Sequence, residues 1–143
     1  GLVSVDGYGG IVAVEKMPPT ESDIWEWFQS QRRNWEITFA LIEKVGGFVA
    51  GNPTPGSSMF KFGASYGGLR MALVAAGVPF QEVAPQKWQK EMGLTRAKNE
   101  SKGAFKNRAK SKAQNLLPTE KVTLATADAI LIAEYCRRTH GSR

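Results

Sequence analysis

The chain has 143 residues, enough for one domain with its own core, and carries 19 lysines and arginines against 13 acidic residues, a net charge of +6. This excess favours an acidic partner such as nucleic acid over a neutral metabolite. The single cysteine, Cys136, excludes an intrachain disulfide and a thiolate zinc cluster, and the single histidine, His140, disfavours histidine-dependent nucleophilic catalysis.

The first elements are predicted to be a β-hairpin and a helix. Residues 2–5 and 11–16 are β-prone runs joined by Asp-Gly-Tyr-Gly-Gly, and Asp-Gly between two such runs favours a hairpin turn. The next segment predicts a helix that ends near Arg33, with Thr20 or Ser22 as its N-terminal cap.

A strand is predicted next, over residues 36–43, within the run E-I-T-F-A-L-I-E-K-V. Its continuous apolar stretch is typical of a strand covered by helices on both faces of a sheet. Open α/β folds place their sites at strand ends, which makes Glu43 a candidate site residue. The alternative is a solvated carboxylate at the end of an ordinary strand.

The rest of the chain predicts four helices and one more strand. The Gly- and Pro-rich loop at 46–58 lacks Gly-Lys-Ser/Thr, so it is not a nucleotide-binding P-loop. The helix that follows carries an apolar face that is either core or a dimer face: Phe62, Tyr66, Leu69 and Leu73. The later elements are a strand over 78–83, a short helix from Pro85, and helices over about 101–117 and 127–138, the last with Thr126 as a possible cap.

Basic residues are concentrated between Lys87 and Lys112. This segment has nine basic residues against two acids. Lys102, Lys106 and Lys110 recur every four residues on one predicted helix, where like charges oppose the helix by a few tenths of a kcal/mol per pair, roughly. Binding to a polyanion would offset this repulsion. The alternative is a solvated basic face.

A second candidate carboxylate, Asp128, lies in the first turn of the last predicted helix, within the otherwise apolar run A-T-A-D-A-I-L-I-A-E-Y. Phosphodiester hydrolysis with two Mg²⁺ ions requires several carboxylates, because these hard cations bind oxygen ligands. Glu43 and Asp128 would be the minimum of such a set. The alternative for Asp128 is stabilisation of the helix dipole, worth about 0.3 to 1 kcal/mol.

Four segments, taken in order, resemble the RuvC-type Holliday-junction resolvases, particularly compact phage-like members, within the RNase H-like nuclease fold. They are A-L-I-E-K-V at 40–45, S-S-M-F-K-F-G-A-S-Y-G-G-L-R at 57–70, V-A-P-Q-K-W-Q-K at 83–90 and A-D-A-I-L-I-A-E-Y at 127–135. The resemblance implies an α/β fold with a mixed β-sheet and helices on both faces, in a single domain with a tail at 139–143. It also implies a homodimer that depends on Mg²⁺, or alternatively Mn²⁺, and nicks two strands of a four-way DNA junction. Such a protein is expected in the cytoplasm, associated with the nucleoid of a prokaryotic or phage-infected cell.

The resemblance assigns roles to individual residues. Glu43 matches the carboxylate at the end of the family's fourth strand, and Asp128 matches the essential one on its last helix. Lys102 falls near the basic position that contacts the scissile phosphate, a looser match. Phe48 and its loop are expected to reach into the junction centre, with core packing as the alternative. The residues expected to hold DNA phosphates are Lys87, Lys90, Lys98, Lys102, Lys106 and Lys110.

Two departures from the family pattern concern the ligand set. The family has three antiparallel strands before its first helix and its first catalytic aspartate on strand one, whereas this chain shows two such strands. We therefore expect strand one upstream of Gly1; the competing interpretation makes 2–6 strand one and Asp6 the first ligand. Many family members also carry a further carboxylate or histidine just before the aspartate of the last helix. This chain has Leu124, Ala125 and Thr126 there. An inactive branched-DNA-binding module and another RNase H-like nuclease are therefore the alternative functions.

Overall fold

The computed structural model of the protein describes residues 1–6, 8–46 and 56–141. Its mixed α/β architecture is the predicted fold class. None of the helices in this part of the chain is both long and apolar enough to span a membrane. In chain order, the elements are β1 (Leu2–Val5), β2 (Ile11–Glu15), α1 (Glu21–Asn34), β3 (Ala40–Glu43), α2 (Gly56–Ala75), β4 (Phe80–Val83), α3 (Pro85–Glu91), α4 (Lys102–Leu116) and α5 (Ala127–His140).

The chain divides into two compact units. The predicted single domain stays a prediction. One unit combines Gly1–Met17 with Val83–Arg143, and the other is Pro18–Glu82. Each has its own buried residues. We call them the terminal unit and the central unit.

The terminal unit is built around α5. This helix contacts β1, α3 and α4, and its buried side chains include Ile130, Leu131 and Tyr135. Trp88 of α3 is fully buried in the same unit, with 0% of its surface exposed. The N-terminal strands β1 and β2 form the predicted antiparallel hairpin, with Leu2 opposite Glu15. The hairpin thus lies on the helix that carries Asp128.

The central unit contains the packed pair of helices α1 and α2. Thr20 is the N-cap of α1, as predicted, because its hydroxyl oxygen accepts the backbone N–H of Asp23 at 3.1 Å. Ile24 and Phe28 of α1 and Leu73 of α2 are buried, and they form the apolar core of this unit.

The strand that ends at Glu43 is shorter and less covered than predicted. Residues 36–39 are not part of β3, and within β3 only Ile42 is buried. The prediction that helices cover this strand on both faces is therefore wrong. Among the described residues β3 pairs with β4 alone and β1 with β2 alone, where the sequence predicts one mixed sheet. Among the described residues, β4 is therefore the one strand hydrogen-bonded to β3.

Candidate functional site

Asp128 lies in the first turn of α5, where free backbone N–H groups stabilise negative charge. The chain enters this helix through a turn in which the backbone N–H of Ala127 donates to the carbonyl oxygen of Thr123 at 3.0 Å. Thr126 occupies the predicted cap position, but its hydroxyl accepts the backbone N–H of Thr123 at 3.1 Å and makes no bond to the helix. The turn therefore fixes where Asp128 emerges and leaves the helix end without a side-chain cap.

The protein around Asp128 sets the electrostatics of its carboxylate. Burial raises the pKa of Asp128, while the charge of Lys106 on α4 lowers it. Much of the surface of Asp128 is nevertheless exposed, so solvent and a ligand can reach its carboxylate. A reachable and partly desolvated carboxylate whose pKa is also shifted by a cation is the kind of group that clusters at functional sites.

Lys106 is the lysine of α4 whose charge acts on Asp128. The expected contact of Lys102 with the scissile phosphate stays a prediction. Lys102 is the first residue of α4 and is exposed. One turn of helix separates the two lysines, and α4 contacts α5. The sequence placed Lys106 only among the phosphate-binding residues; its spacing of four from Lys102 was the available signal.

Glu43 is the last residue of β3 and is half-buried. It belongs to the central unit and Asp128 to the terminal unit, so each carboxylate is placed within its own unit. That the two act at one site stays a prediction.

A polar cluster near the end of β3 was not predicted from the sequence. The Tyr66 hydroxyl of α2 donates to Oε1 of Glu82 on β4 at 2.6 Å, and Nε of Arg70 lies 3.2 Å from the same oxygen. Burial and the bond to Glu82 raise the pKa of Tyr66, which also bonds to the backbone of Val45. The sequence predicts Tyr66 on an apolar helix face, because its polar role depends on contacts between elements that are distant in the chain.

The predicted DNA-binding lysines all lie in the terminal unit. α3 carries Lys87 and Lys90, the loop before α4 carries Lys98, and α4 carries the other three. Five of the six are exposed and Lys110 is half-buried. The segment's arginines differ, because Arg96 and Arg108 both bond to Glu100. Both arginines are therefore hydrogen-bonded to Glu100, although Arg96 is exposed and the Arg108 side chain is 40% exposed.

Asp6 and Phe48 are the other two residues predicted to belong to the site. Oδ1 of Asp6 accepts the backbone N–H groups of Tyr8 at 2.9 Å and Gly10 at 2.7 Å, which secures the turn of the β1–β2 hairpin. This local role accounts for an aspartate at that position; its proposed ligand role stays a prediction. Phe48 lies outside the described residues.

No protein-family model matches the chain, and no curated protein matches it. Solved structures that are similar to it include two of Thermus thermophilus RuvC. Thermus thermophilus RuvC in complex with a Holliday junction substrate has a TM-score of 0.56 and 17% identity, over 97% of this chain and 87% of that chain. A second Thermus thermophilus RuvC structure has a TM-score of 0.55 and 18% identity, over 95% of this chain and 86% of that chain. The chain has the RuvC fold.

Glu43 and Asp128 are the candidate ligands for a metal ion. Glu43 and Asp128 have the oxygen chemistry that Mg²⁺ prefers. Within the described part of the RuvC-like fold, however, no three His, Cys, Asp or Glu side chains form a group that could hold a metal ion. These residues alone therefore do not make a complete magnesium site.

Proposed function

We propose that the chain is a compact, phage-like RuvC-type endonuclease that cleaves four-way DNA junctions in a prokaryotic or phage-infected cell. The observation that carries the proposal is the position of Asp128, an exposed carboxylate at the N-terminus of α5 that feels the positive charge of Lys106. The proposal is supported by the RuvC fold, since one similar structure is a RuvC bound to a Holliday junction substrate.

DNA binding is assigned to the lysines of α3, α4 and the loop between them. Lysines that contact backbone phosphates position a duplex without reading its sequence, as expected of a protein that selects DNA by shape. Lys106, and Lys102 one turn before it, would neutralise the phosphate nearest Asp128. Binding should weaken steeply as salt rises, because each phosphate contact releases counterions.

We propose Mg²⁺ as the cofactor, with Mn²⁺ as a substitute, and Glu43 and Asp128 as two of its ligands. When bound, the metal would make water nucleophilic at neutral pH and stabilise the leaving oxygen. At least one ligand besides these two is needed. The absence of a three-residue metal group among the described residues is also what favours the alternative, a junction-binding module that does not cleave.

The test of the function uses the full chain with Mg²⁺ and three labelled substrates. We expect nicks near the crossover of a four-way junction, and at least about tenfold slower cleavage of a linear duplex of the same sequence or an RNA–DNA hybrid. Tight binding of the junction without nicking, in Mg²⁺ or Mn²⁺, would establish the inactive module. Preference for the hybrid would indicate a ribonuclease of related fold.

We further propose that the chain forms a homodimer through α2. An apolar and small-residue stripe at helical spacing is exposed on this helix, namely Phe60, Gly63, Ala64, Gly67, Met71 and Val74. A Cβ added at Gly63 or Gly67 would meet no atom within 4 Å, so the stripe has room for a neighbouring helix. The predicted face lies elsewhere: Leu73 is buried and Tyr66 and Leu69 are half-buried, so most of it is core.

Phe60 and Phe62 provide a matched test of this dimer. Both are exposed, at 78% and 54%, but only Phe60 lies on the stripe. Phe60→Lys is expected to raise the dimer dissociation constant by about 30-fold or more, the effect of losing an interface anchor of about 2 kcal/mol. Phe62→Lys should leave the dissociation constant unchanged. Sedimentation velocity measures both; equal effects of the two substitutions, or a monomeric parent protein, would contradict the assignment to this stripe.

A further inference from the structure

Glu100 is the centre of a hydrogen-bonded cluster that closes the loop between α3 and α4. Its carboxylate accepts Nε and Nη2 of Arg108 at 2.9 and 2.7 Å, and the backbone N–H of Ala97 at 3.2 Å. Its carbonyl oxygen accepts Nε and Nη2 of Arg96 at 3.0 and 2.9 Å. Arg108 also donates to the carbonyl oxygen of Thr95 at 3.0 Å. We call Glu100, Arg96 and Arg108 the Glu100 clamp.

The clamp joins the loop at 95–101 to the body of α4. Arg108 is nearly two turns into α4, and its fork-shaped guanidinium bonds to both ends of the loop. Ser101 continues directly from the clamp and caps α4, its hydroxyl accepting the backbone N–H of Ala104 at 3.1 Å. The loop therefore has a fixed shape where it meets the helix.

The charge of Glu100 is compensated within the protein. Its side chain is only 14% exposed, whereas that of Arg108 is 40% exposed. The bonds from Arg108 hold the pKa of Glu100 below its usual range, so the carboxylate stays ionised and paired at neutral pH. A paired, inward carboxylate opposes an approaching phosphate far less than a free one would.

Two lysines flank the clamp. Lys98 lies within the closed loop and Lys102 begins α4, directly after the capping Ser101, and both are exposed. Side chains that bind phosphate do so with less entropic loss when the backbone beneath them is already fixed.

We propose that Glu100 and Arg108 are positioning residues for DNA, which hold the loop so that Lys98 and Lys102 meet neighbouring backbone phosphates. This inference rests on the proposed function. It gives an acidic residue a favourable effect on the binding of a polyanion, opposite in sign to the effect of its charge alone.

The sign difference makes Glu100→Gln a sharp test. The substitution keeps the shape of the side chain, removes one negative charge and weakens the bonds to Arg108. Charge alone predicts tighter junction binding. The clamp predicts that junction binding becomes about 3- to 10-fold weaker at near-physiological salt. It also predicts that the slope of log affinity against log salt concentration becomes shallower by about 1 to 2, because one or two phosphate contacts are lost.

Glu91→Gln is the matched control, because Glu91 is the only other acid in the Lys87–Lys112 segment and is exposed on α3. It makes the same change in charge without touching the clamp. We expect its junction affinity to be equal to or tighter than that of the parent protein, with the same salt dependence. Fluorescence anisotropy with a labelled junction measures all variants, at a temperature where circular dichroism shows each to be folded.

A double-mutant cycle separates positioning from a general loss of structure. In a chain that already carries Lys98→Ala and Lys102→Ala, Glu100→Gln should cause no further loss of affinity. A full further loss there, or binding by Glu100→Gln as tight as that of the parent, overturns the positioning role while leaving the proposed function in place. Failure of the parent protein to bind a four-way junction overturns both.

Discussion

Glu43→Gln and Asp128→Asn are each expected to reduce the rate of four-way junction cleavage by at least about 10³-fold, while junction binding persists. Each substitution replaces a charged carboxylate with a neutral amide of nearly the same shape. Metal ions supply several kcal/mol of charge stabilisation in phosphodiester hydrolysis, and about 4 kcal/mol corresponds to 10³ in rate. Single-turnover cleavage measures the rate, and gel mobility shift with Ca²⁺ in place of Mg²⁺ measures binding.

Matched controls are available for both carboxylates. Glu36→Gln changes an exposed glutamate shortly before β3, and Asp23→Asn changes an aspartate in the first turn of α1. Both should cleave within about threefold of the parent rate. Glu36 is exposed, and surface changes of this kind cost about 0.5 kcal/mol or less. In Asp23→Asn the amide oxygen can still accept the Thr20 hydroxyl, which Asp23 accepts at 2.6 Å. If Glu43→Gln kept more than a tenth of the parent cleavage rate, Glu43 would not belong to the catalytic site. The catalytic residues would then lie in the terminal unit.

Loss of activity in Asp128→Asn should not result from unfolding. Burial raises the pKa of Asp128, so the ionised carboxylate is disfavoured in the folded chain relative to the unfolded chain. Any stability linked to this group is therefore present at low pH and is lost as pH rises through its folded pKa. At neutral pH the neutral amide removes the cost of partly burying a charge, which stabilises the fold. It also removes the favourable interaction of that charge with the helix dipole, so the free energy of unfolding should change by about 1 kcal/mol or less.

Local signals in the sequence predicted most of the helices and the hairpin. Thr20 caps α1 because a hydroxyl three residues before a free N–H is close enough to bond to it, which needs no tertiary structure. The Asp-Gly turn similarly brings Asp6 within reach of two backbone N–H groups. Such short-range chemistry can be read from sequence.

Contacts between distant elements could not be predicted in the same way. The partner of β3 is β4, whose first residue lies 40 positions after that of β3, and only this pairing shows how little of β3 is covered. The selection of Lys106 near Asp128 depends on how α4 is rotated against α5, which a helical repeat of lysines leaves open. Glu100 appeared in the sequence only as one of two acids among nine basic residues, without its partners.

Trp88→Ala is expected to lower the free energy of unfolding by about 3 to 5 kcal/mol, the usual cost of replacing a buried tryptophan with alanine. Trp88 is 0% exposed and α3 contacts α5, so the lost side chain would leave a cavity in the core of the terminal unit. For a chain of this size each kcal/mol corresponds to about 2 to 4 °C, so the melting temperature should fall by roughly 6 to 20 °C.

Trp35→Ala is the control, because Trp35 is 48% exposed immediately after α1. It should change the free energy of unfolding by about 1 kcal/mol or less. Urea denaturation followed by circular dichroism measures both variants. Because α5 carries Asp128 and rests on the core that contains Trp88, partial unfolding of Trp88→Ala should also reduce junction cleavage in proportion to the unfolded fraction. Equal stability losses for the two tryptophans would contradict the placement of α3 in the terminal core.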